Sequence, residues 1–318
     1  MDINIKKILI IAGLIFSVWF VYEIRSVLTL LFVAFILLSA LRPLVLRMVN
    51  NKIPKPLAII IVFLGLVIVL VLGLVALLPP FIRETVALIR SLPDYLAPLL
   101  ESFNMTTADL APQLTTVSSG LIKATVTIFS DVISFVALIV LTLYMLLERD
   151  HIKKDLEQYV SKERAEKIVE IVEKIEARLG SWVNGQMVLC VTIGLFSYIG
   201  LRLLGIQYAL PLAILAGIFE ILPTIGSIVA SIPAILLGFT ISPVMATAVA
   251  ALYLLIHQSE NHLIVPLVMK KAVGLPPLVT IIALMIGGKI AGIPGALLAI
   301  PFLVTIQTIV ESVKQNSF

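Results

Sequence analysis

Charged side chains are scarce in this chain. Asp, Glu, Lys and Arg supply 13% of its 318 residues while 60% are hydrophobic, against about 45–50% apolar residues in ordinary soluble domains. Together with a mean hydropathy of +1.13, this excludes such a domain and points to a polytopic membrane protein. The single cysteine, Cys190, excludes an intrachain disulfide and leaves the redox compartment unread. No GxxxxGK[ST] run marks nucleotide hydrolysis through a P-loop, and no GxSxG motif marks a nucleophile. His257 and His262 stand five apart, off the HExxH spacing of a zinc protease, and do not share a helix face well. No metal, cofactor or enzymatic activity is expected. The net charge of +4 does not imply nucleic acid, because the basic residues gather in loops between apolar runs.

Those apolar runs order the chain. Residues 1–80 read as N-terminal transmembrane helices: a hairpin of Ile8–Tyr22 and Ser26–Leu41, a loop with Arg42, Arg47, Lys52 and Lys55 but no acid, and an aliphatic span Leu57–Leu78 ended by Pro79 and Pro80. No small-residue cleavage site follows the first run, so it is expected to be a retained helix. Residues 81–120 read as an extracytoplasmic amphipathic segment lying at one membrane face and interrupted by Pro93 and Pro98.

Residues 121–147 form the next span. Asp131 lies either inside it as a functional carboxylate or near the interface. Residues 148–181 hold the one strongly charged block, read as a cytoplasmic amphipathic helix. On it Ile168, Ile171, Val172, Ile175 and Leu179 share a face, and Glu163 with Lys167 and Glu170 with Lys174 have pairing distance. This block is either a solvated connector or a docking face for a partner. Residues 182–313 form the transport core. Placing the N-terminus in the cytoplasm puts the Arg42–Lys55 loop and the charged block on the same inner side. Residues 208–239 and 277–310 each either cross or re-enter; re-entrance at Pro223–Gly226 is preferred because it leaves Lys270 and Lys271 in the cytoplasm.

Two polar islands interrupt this core, FEILPTIGSIVASIP (Phe219–Pro233) and IHQSENHLIVP (Ile256–Pro266). A charge at the membrane centre costs from about 3 to more than 10 kcal/mol, so Glu220 and Glu260 need something that offsets it. Beside them Pro223, Gly226 and Pro266 break helices and free backbone groups, the layout of a substrate or ion site in secondary transporters. Each acid is either a structural buried carboxylate or a binder of H+ or Na+. Asn261, Gln258 and His257 supply further polar groups, and Lys289 either faces inward as a counter-ion or snorkels to an interface. Gly287, Gly288, Gly292 and Gly295 form a second break, although Gly288 and Gly292 also have the GxxxG spacing of close helix packing.

Three stretches resemble the AI-2E family of bacterial and archaeal membrane proteins: Tyr208–Leu236, His257–Leu284 and Ile286–Pro301. The family pattern of ExxPxxG, QxEN followed by Pro, GLxP and GGxxxGxxGxxxAxP stands in them, with the upstream Gly185–Gln186 pair. Ser227 stands where the family often has Pro, and Pro276 where a His is common. The resemblance implies efflux of small solutes, autoinducer-2 in some members and Na+ or Li+ in exchange for protons in others. It carries over Glu220, Pro223, Gly226, Gln258, Glu260, Asn261, Pro266, Gly288, Gly292 and Pro301.

The expectation is therefore an all-α polytopic helical protein of about eight hydrophobic segments, with broken or re-entrant helices in the C-terminal half. It sits in a cell (plasma or inner) membrane, contacts lipid, and moves a small-molecule or cation substrate with H+ or Na+ as coupling ion. The alternatives are a Na+(Li+)/H+ antiporter and a membrane scaffold that transports nothing. Small-residue faces are compatible with a homo-oligomer.

Overall fold

A computed structural model describes residues 5–102, 132–223, 225–268 and 276–315. These residues are helical throughout, with no strand among them. α1 (Ile5–Glu23), α2 (Arg25–Asn50), α3 (Lys55–Ser102), α4 (Val132–Glu148), the short α5 (Ile152–Glu157) and α6 (Lys162–Leu203) come first. They are followed by α7 (Ala209–Phe219), α8 (Ile225–Ile241), α9 (Pro243–Ser259), a wide turn at Glu260–Ile264, α10 (Val265–Val268) and α11 (Pro277–Gln315). Among the described residues, four stretches are long and apolar enough to cross a membrane: Arg25–Asn50, Lys55–Ala87, Lys162–Leu203 and Leu278–Lys314. Ser134–Glu148, Ala209–Phe219 and Gly226–Ile241 are shorter apolar helices.

The N-terminal half departs from the expected layout in two places. Ile8–Tyr22 and Ser26–Leu41 form no hairpin: only Ile24 separates α1 from α2, and its N–H bonds to Phe20 while its carbonyl accepts from Leu28. Glu23, Ile24 and Arg25 include no turn former, so the helical bonding runs on. Pro79 and Pro80 do not end the third helix either, which continues to Ser102. Each proline forfeits a backbone bond, yet helix on both sides still satisfies the rest where no water is available. Asp131 and residues 103–120 of the expected amphipathic segment lie outside the described residues.

α6 is the spine. It runs 42 residues without interruption from the charged block into the apolar core, about 63 Å at 1.5 Å per residue. At one end it is tied by charge. Glu176 is bound by both Arg42 and Arg149, Arg178 by Glu311 at 2.6 Å, and Lys55 holds Asp150 at 2.5 Å. The basic loop and the charged block thus share one end of the helix array. The proposed docking face on this block is largely occupied from within: Ile175 and Leu179 are buried against α2 and α11, with Ile171 packed on the same cluster.

Two broken hairpins complete the core and open toward opposite ends. The segment Gly205–Tyr208 before α7 lines a small cavity with Leu237, Thr240 and Ile241 at the end of α8. α7 and α8 therefore double back, and their tip is Glu220–Pro223. With 11 residues, α7 is about 16 Å long, too short for a hydrocarbon core of about 30 Å. α11 reverses at Ala291 (φ −137°, ψ 22°) and Gly292 (φ 62°, ψ −145°). Gly292 takes a backbone region that side chains with a Cβ avoid. Beyond the reversal, Gly287 and Gly295 lie so close that a Cβ on either would overlap the other's carbonyl oxygen. The second arm of α11 runs back to the charged end, where Glu311 meets Arg178.

Candidate functional site

The tip of the α7–α8 hairpin is built to present a carboxylate. Glu220 caps α7 with its N–H on Ala216, Leu222 bonds back to Phe219 at 2.9 Å, and Gly226 bonds to Leu222 at 2.9 Å. Gly226 sits against the Phe219 carbonyl and the Glu220 nitrogen where no Cβ fits, so this tight turn requires glycine.

The second acid arrives on α9. At Glu260–Ile264 the helix widens by one residue per turn, and the Val265 N–H reaches the Glu260 carbonyl. Such π-turns commonly occur at functional positions. Pro266 follows directly and offers no N–H to restore the regular ladder.

Together these two irregularities place Glu220 and Glu260 against each other, 0% and 1% exposed, with their side chains in direct interaction. Both Glu220 oxygens and Glu260 Oε2 lack a hydrogen-bonding protein partner. No Lys or Arg forms an ion pair with either acid among the described residues; the nearest imidazole is that of His257, whose Nδ1 is 3.6 Å from Glu260 Oε2.

His257 is held from both sides. Its Nδ1 is 3.0 Å from the Ser227 hydroxyl, and its Nε2 is 3.0 Å from the Asn261 amide nitrogen. With Asn261 donating, Nε2 accepts and Nδ1 carries the hydrogen. The ring is partly exposed (27%), so it links the sealed acid pair to the outside of the bundle. On the other flank Gln186 of α6 donates to the Glu220 backbone carbonyl, while its own Oε1 is buried without a partner. Cys190, one turn further along α6, faces both Gln186 and Glu220.

Two facing carboxyl groups buried without a cation require a counter-charge, because an isolated buried ion costs far more than it returns. A shared proton offsets one of the two charges, and so does a small cation ligated by carboxylate and amide oxygens.

The structure gathers Glu220, Glu260, His257 and Asn261, with Pro223 and Gly226 at the same tip. Gln258 points away and is exposed, as is Pro266. Gly287, Gly288, Gly292 and Gly295 belong to the reversal of α11, and Pro301 is buried on its second arm. That hairpin meets the tip through Leu222, which packs on the cluster holding Trp182 and Ile300. Lys289 is exposed, so it gives the acids no counter-ion. Sequence reasoning did not place Ser227 or Cys190 in the site. The available signal was the row Gln186, Cys190 and Ser197 along one face of an apolar helix.

Comparison with known proteins agrees with this architecture. The family model described as AI-2E family transporter matches residues 8–315. TqsA of Escherichia coli (strain K12), named as an AI-2 transport protein, is 30% identical over 300 residues, covering 88% of this chain and 83% of the relative. YueF of Bacillus subtilis (strain 168) is 25% identical over 293 residues, 83% of this chain and 78% of the relative. YhhT of Escherichia coli (strain K12) is 23% identical over 319 residues, 96% and 90% of the two chains.

Proposed function

This chain belongs to the AI-2E transporter family, and we propose that it is an ion-coupled secondary transporter that moves a small solute, autoinducer-2 being the first to test, out of the cell. The observation that carries this reading is the buried Glu220–Glu260 pair, which has no Lys or Arg partner among the described residues and sits where two helices are broken. A proton shared by the two carboxylates removes one of their two negative charges; its release restores a state with a different preference for facing inward or outward. An ion shifts such an equilibrium only by binding the two states unequally, and the broken helices provide two such arrangements. His257, tethered by Ser227 and Asn261, provides the exit for the proton.

The protein works in the plasma membrane of a prokaryote with its N-terminus in the cytoplasm. Loop charge supports this orientation, since the Lys- and Arg-rich loop and the charged block lie at the same end. A second reading, Na+(Li+)/H+ antiport, is favoured by the unpartnered Gln186 Oε1 beside the acids, an oxygen set that suits a hard monovalent cation.

The test is dissipation of an imposed pH gradient in proteoliposomes on adding Na+, Li+, K+ or autoinducer-2 in turn, for wild type, Glu220→Gln and Glu260→Gln. Proton movement triggered by one of them and abolished by either substitution supports the carboxyl pair as the coupling site. If the flux is the same with and without a gradient, or survives both substitutions, ion coupling through this pair is wrong.

A further inference from the structure

Within the aliphatic core of α6–α9 lie two hydroxyls that the carboxyl site does not use. Ser197 on α6 is 0% exposed and Tyr253 on α9 is 4% exposed. The two side chains face each other, yet neither oxygen forms a well-shaped hydrogen bond with any protein group. A buried hydroxyl left without a partner is unfavourable. Ile193, Leu201, Leu212, Ala216, Val249 and Ile256 belong to the same apolar cluster as Tyr253.

Ser197 is also unlike other helical hydroxyls of this protein. Ser39, Thr142, Ser259, Thr305 and Thr308 each donate to the carbonyl four residues before, the usual way a helix absorbs such a group. Ser197 does not, and its oxygen is turned toward Tyr253 instead.

Position gives the pair its meaning. Tyr253 stands seven residues before Glu260 on α9, and Ser197 eleven after Gln186 on α6. At 1.5 Å per residue the hydroxyls are about 10 to 16 Å from the carboxyl site along the helix axes. They lie on its far side from the charged end, toward the cavity between Gly205–Tyr208 and Ile241. Aliphatic side chains close the interval. Close to this level α6 and α7 cross at Gly194 and Gly217, where the two backbones touch with no side chain between them.

We propose that Tyr253 and Ser197 form a second proton station, which passes protons between the carboxyl pair and the end of the bundle opposite the charged block. A hydroxyl suits that task because it accepts a hydrogen on its oxygen as it gives up its own. A hydronium on one side gives its extra proton to the phenol oxygen and becomes water, the phenol hydrogen moves to the Ser197 oxygen, and the Ser197 hydrogen leaves to the next water, which becomes hydronium. Both groups end neutral, and no other reactant is needed. The interval is too long for one transfer, so the relay works only when water enters between the stations, and it is shut in the arrangement described here.

The inference rests on reading the carboxyl pair as the coupling site, and the experiment separates the two. Proteoliposomes of wild type, Tyr253→Phe, Ser197→Ala and Glu260→Gln are assayed for proton movement driven by Na+, Li+ or autoinducer-2, whichever acts on wild type, and for exchange of that same species without a gradient. Tyr253→Phe keeps the ring and its packing. It is expected to slow proton movement at least about tenfold while exchange stays within about twofold, and the double variant with Ser197→Ala is expected to be no slower, since both hydroxyls serve one step. As a check independent of folding, 3-fluorotyrosine at position 253 keeps the hydroxyl but acidifies it and is expected to move the pH profile of proton movement.

Wild-type proton movement in Tyr253→Phe, or a pH profile unmoved by the fluorinated ring, overturns the second station. If Glu260→Gln abolishes proton movement in that case, the carboxyl site stands alone. Should Glu260→Gln also behave as wild type, or no driving species move protons in wild type, both readings fall together.

Discussion

Replacing Glu176 by Gln tests how the charged end of the array is held. The Glu176 side chain is 3% exposed and its two oxygens are taken separately, Oε2 by Arg42 and Oε1 by Arg149. Arg149 is itself buried, at 6% exposure, and the other ion pair it forms among the described residues is with Glu173, 3.7 Å away and 53% exposed. Removing one partner from a buried ion pair typically costs about 3–5 kcal/mol, because the remaining charge has neither water nor a counter-ion. Arg42 is 22% exposed and can turn toward solvent, which places the expected loss near the lower end, about 3 kcal/mol. The assay is unfolding of purified protein in one detergent, followed by helical circular dichroism against a graded denaturant. A companion variant with Arg42→Met, Arg149→Met and Glu176→Leu removes every buried charge of the cluster. It is expected to recover most of the loss, since apolar replacement of whole buried ion clusters is often neutral or stabilising. If Glu176→Gln unfolds with wild type, or the triple variant is weaker than the single one, the cluster is not what joins α2, α4 and α6.

Two further outcomes follow from the geometry. Gly287→Ala and Gly295→Ala each drive a methyl into the facing backbone carbonyl of α11. Each is expected to lose about 1–3 kcal/mol in the same unfolding assay, while Gly288→Ala, whose nearest neighbour is the Ala296 Cβ at 3.9 Å, stays close to wild type. The Lys55–Asp150 pair makes a prediction with pH. Its hydrogen bond to Lys55 holds the Asp150 carboxyl below its ordinary value of 3.8. A depressed folded-state value adds stability above the unfolded value and loses it as pH falls through the folded one. The stability gap between wild type and Lys55→Gln is therefore present at neutral pH and closes below about pH 3.8. It is small throughout, since the Asp150 side chain is 62% exposed, and a gap that persists in acid would contradict the pairing.

Much of this molecule is legible in its sequence because a bilayer leaves few choices. Apolar runs of span length require helices, and acids inside them require partners or a load to carry. Glu220 and Glu260 could be singled out from adjacent helix breakers alone, and the structure brings them together.

What stayed hidden depends on angle and distance. Consecutive helical residues diverge by about 100°, so His257 turns inward while its neighbour Gln258 is exposed. Asn261, four residues on from His257, returns to the same face and meets its ring. Prolines mislead for a related reason. Pro79 and Pro80 carry the same breaker signal as Pro223, yet only at Pro223 do the glycine at 226 and the bonds from Leu222 and Gly226 provide a turn for the chain to take. A breaker shows where a helix can end, and the capping partners decide whether it does. Glu176 is the extreme case, because its partner Arg42 is 134 residues away. Within the charged block it reads as one more solvated acid, and only the long spine of α6, which carries that block up against α2 and α4, turns it into the buried centre of the array.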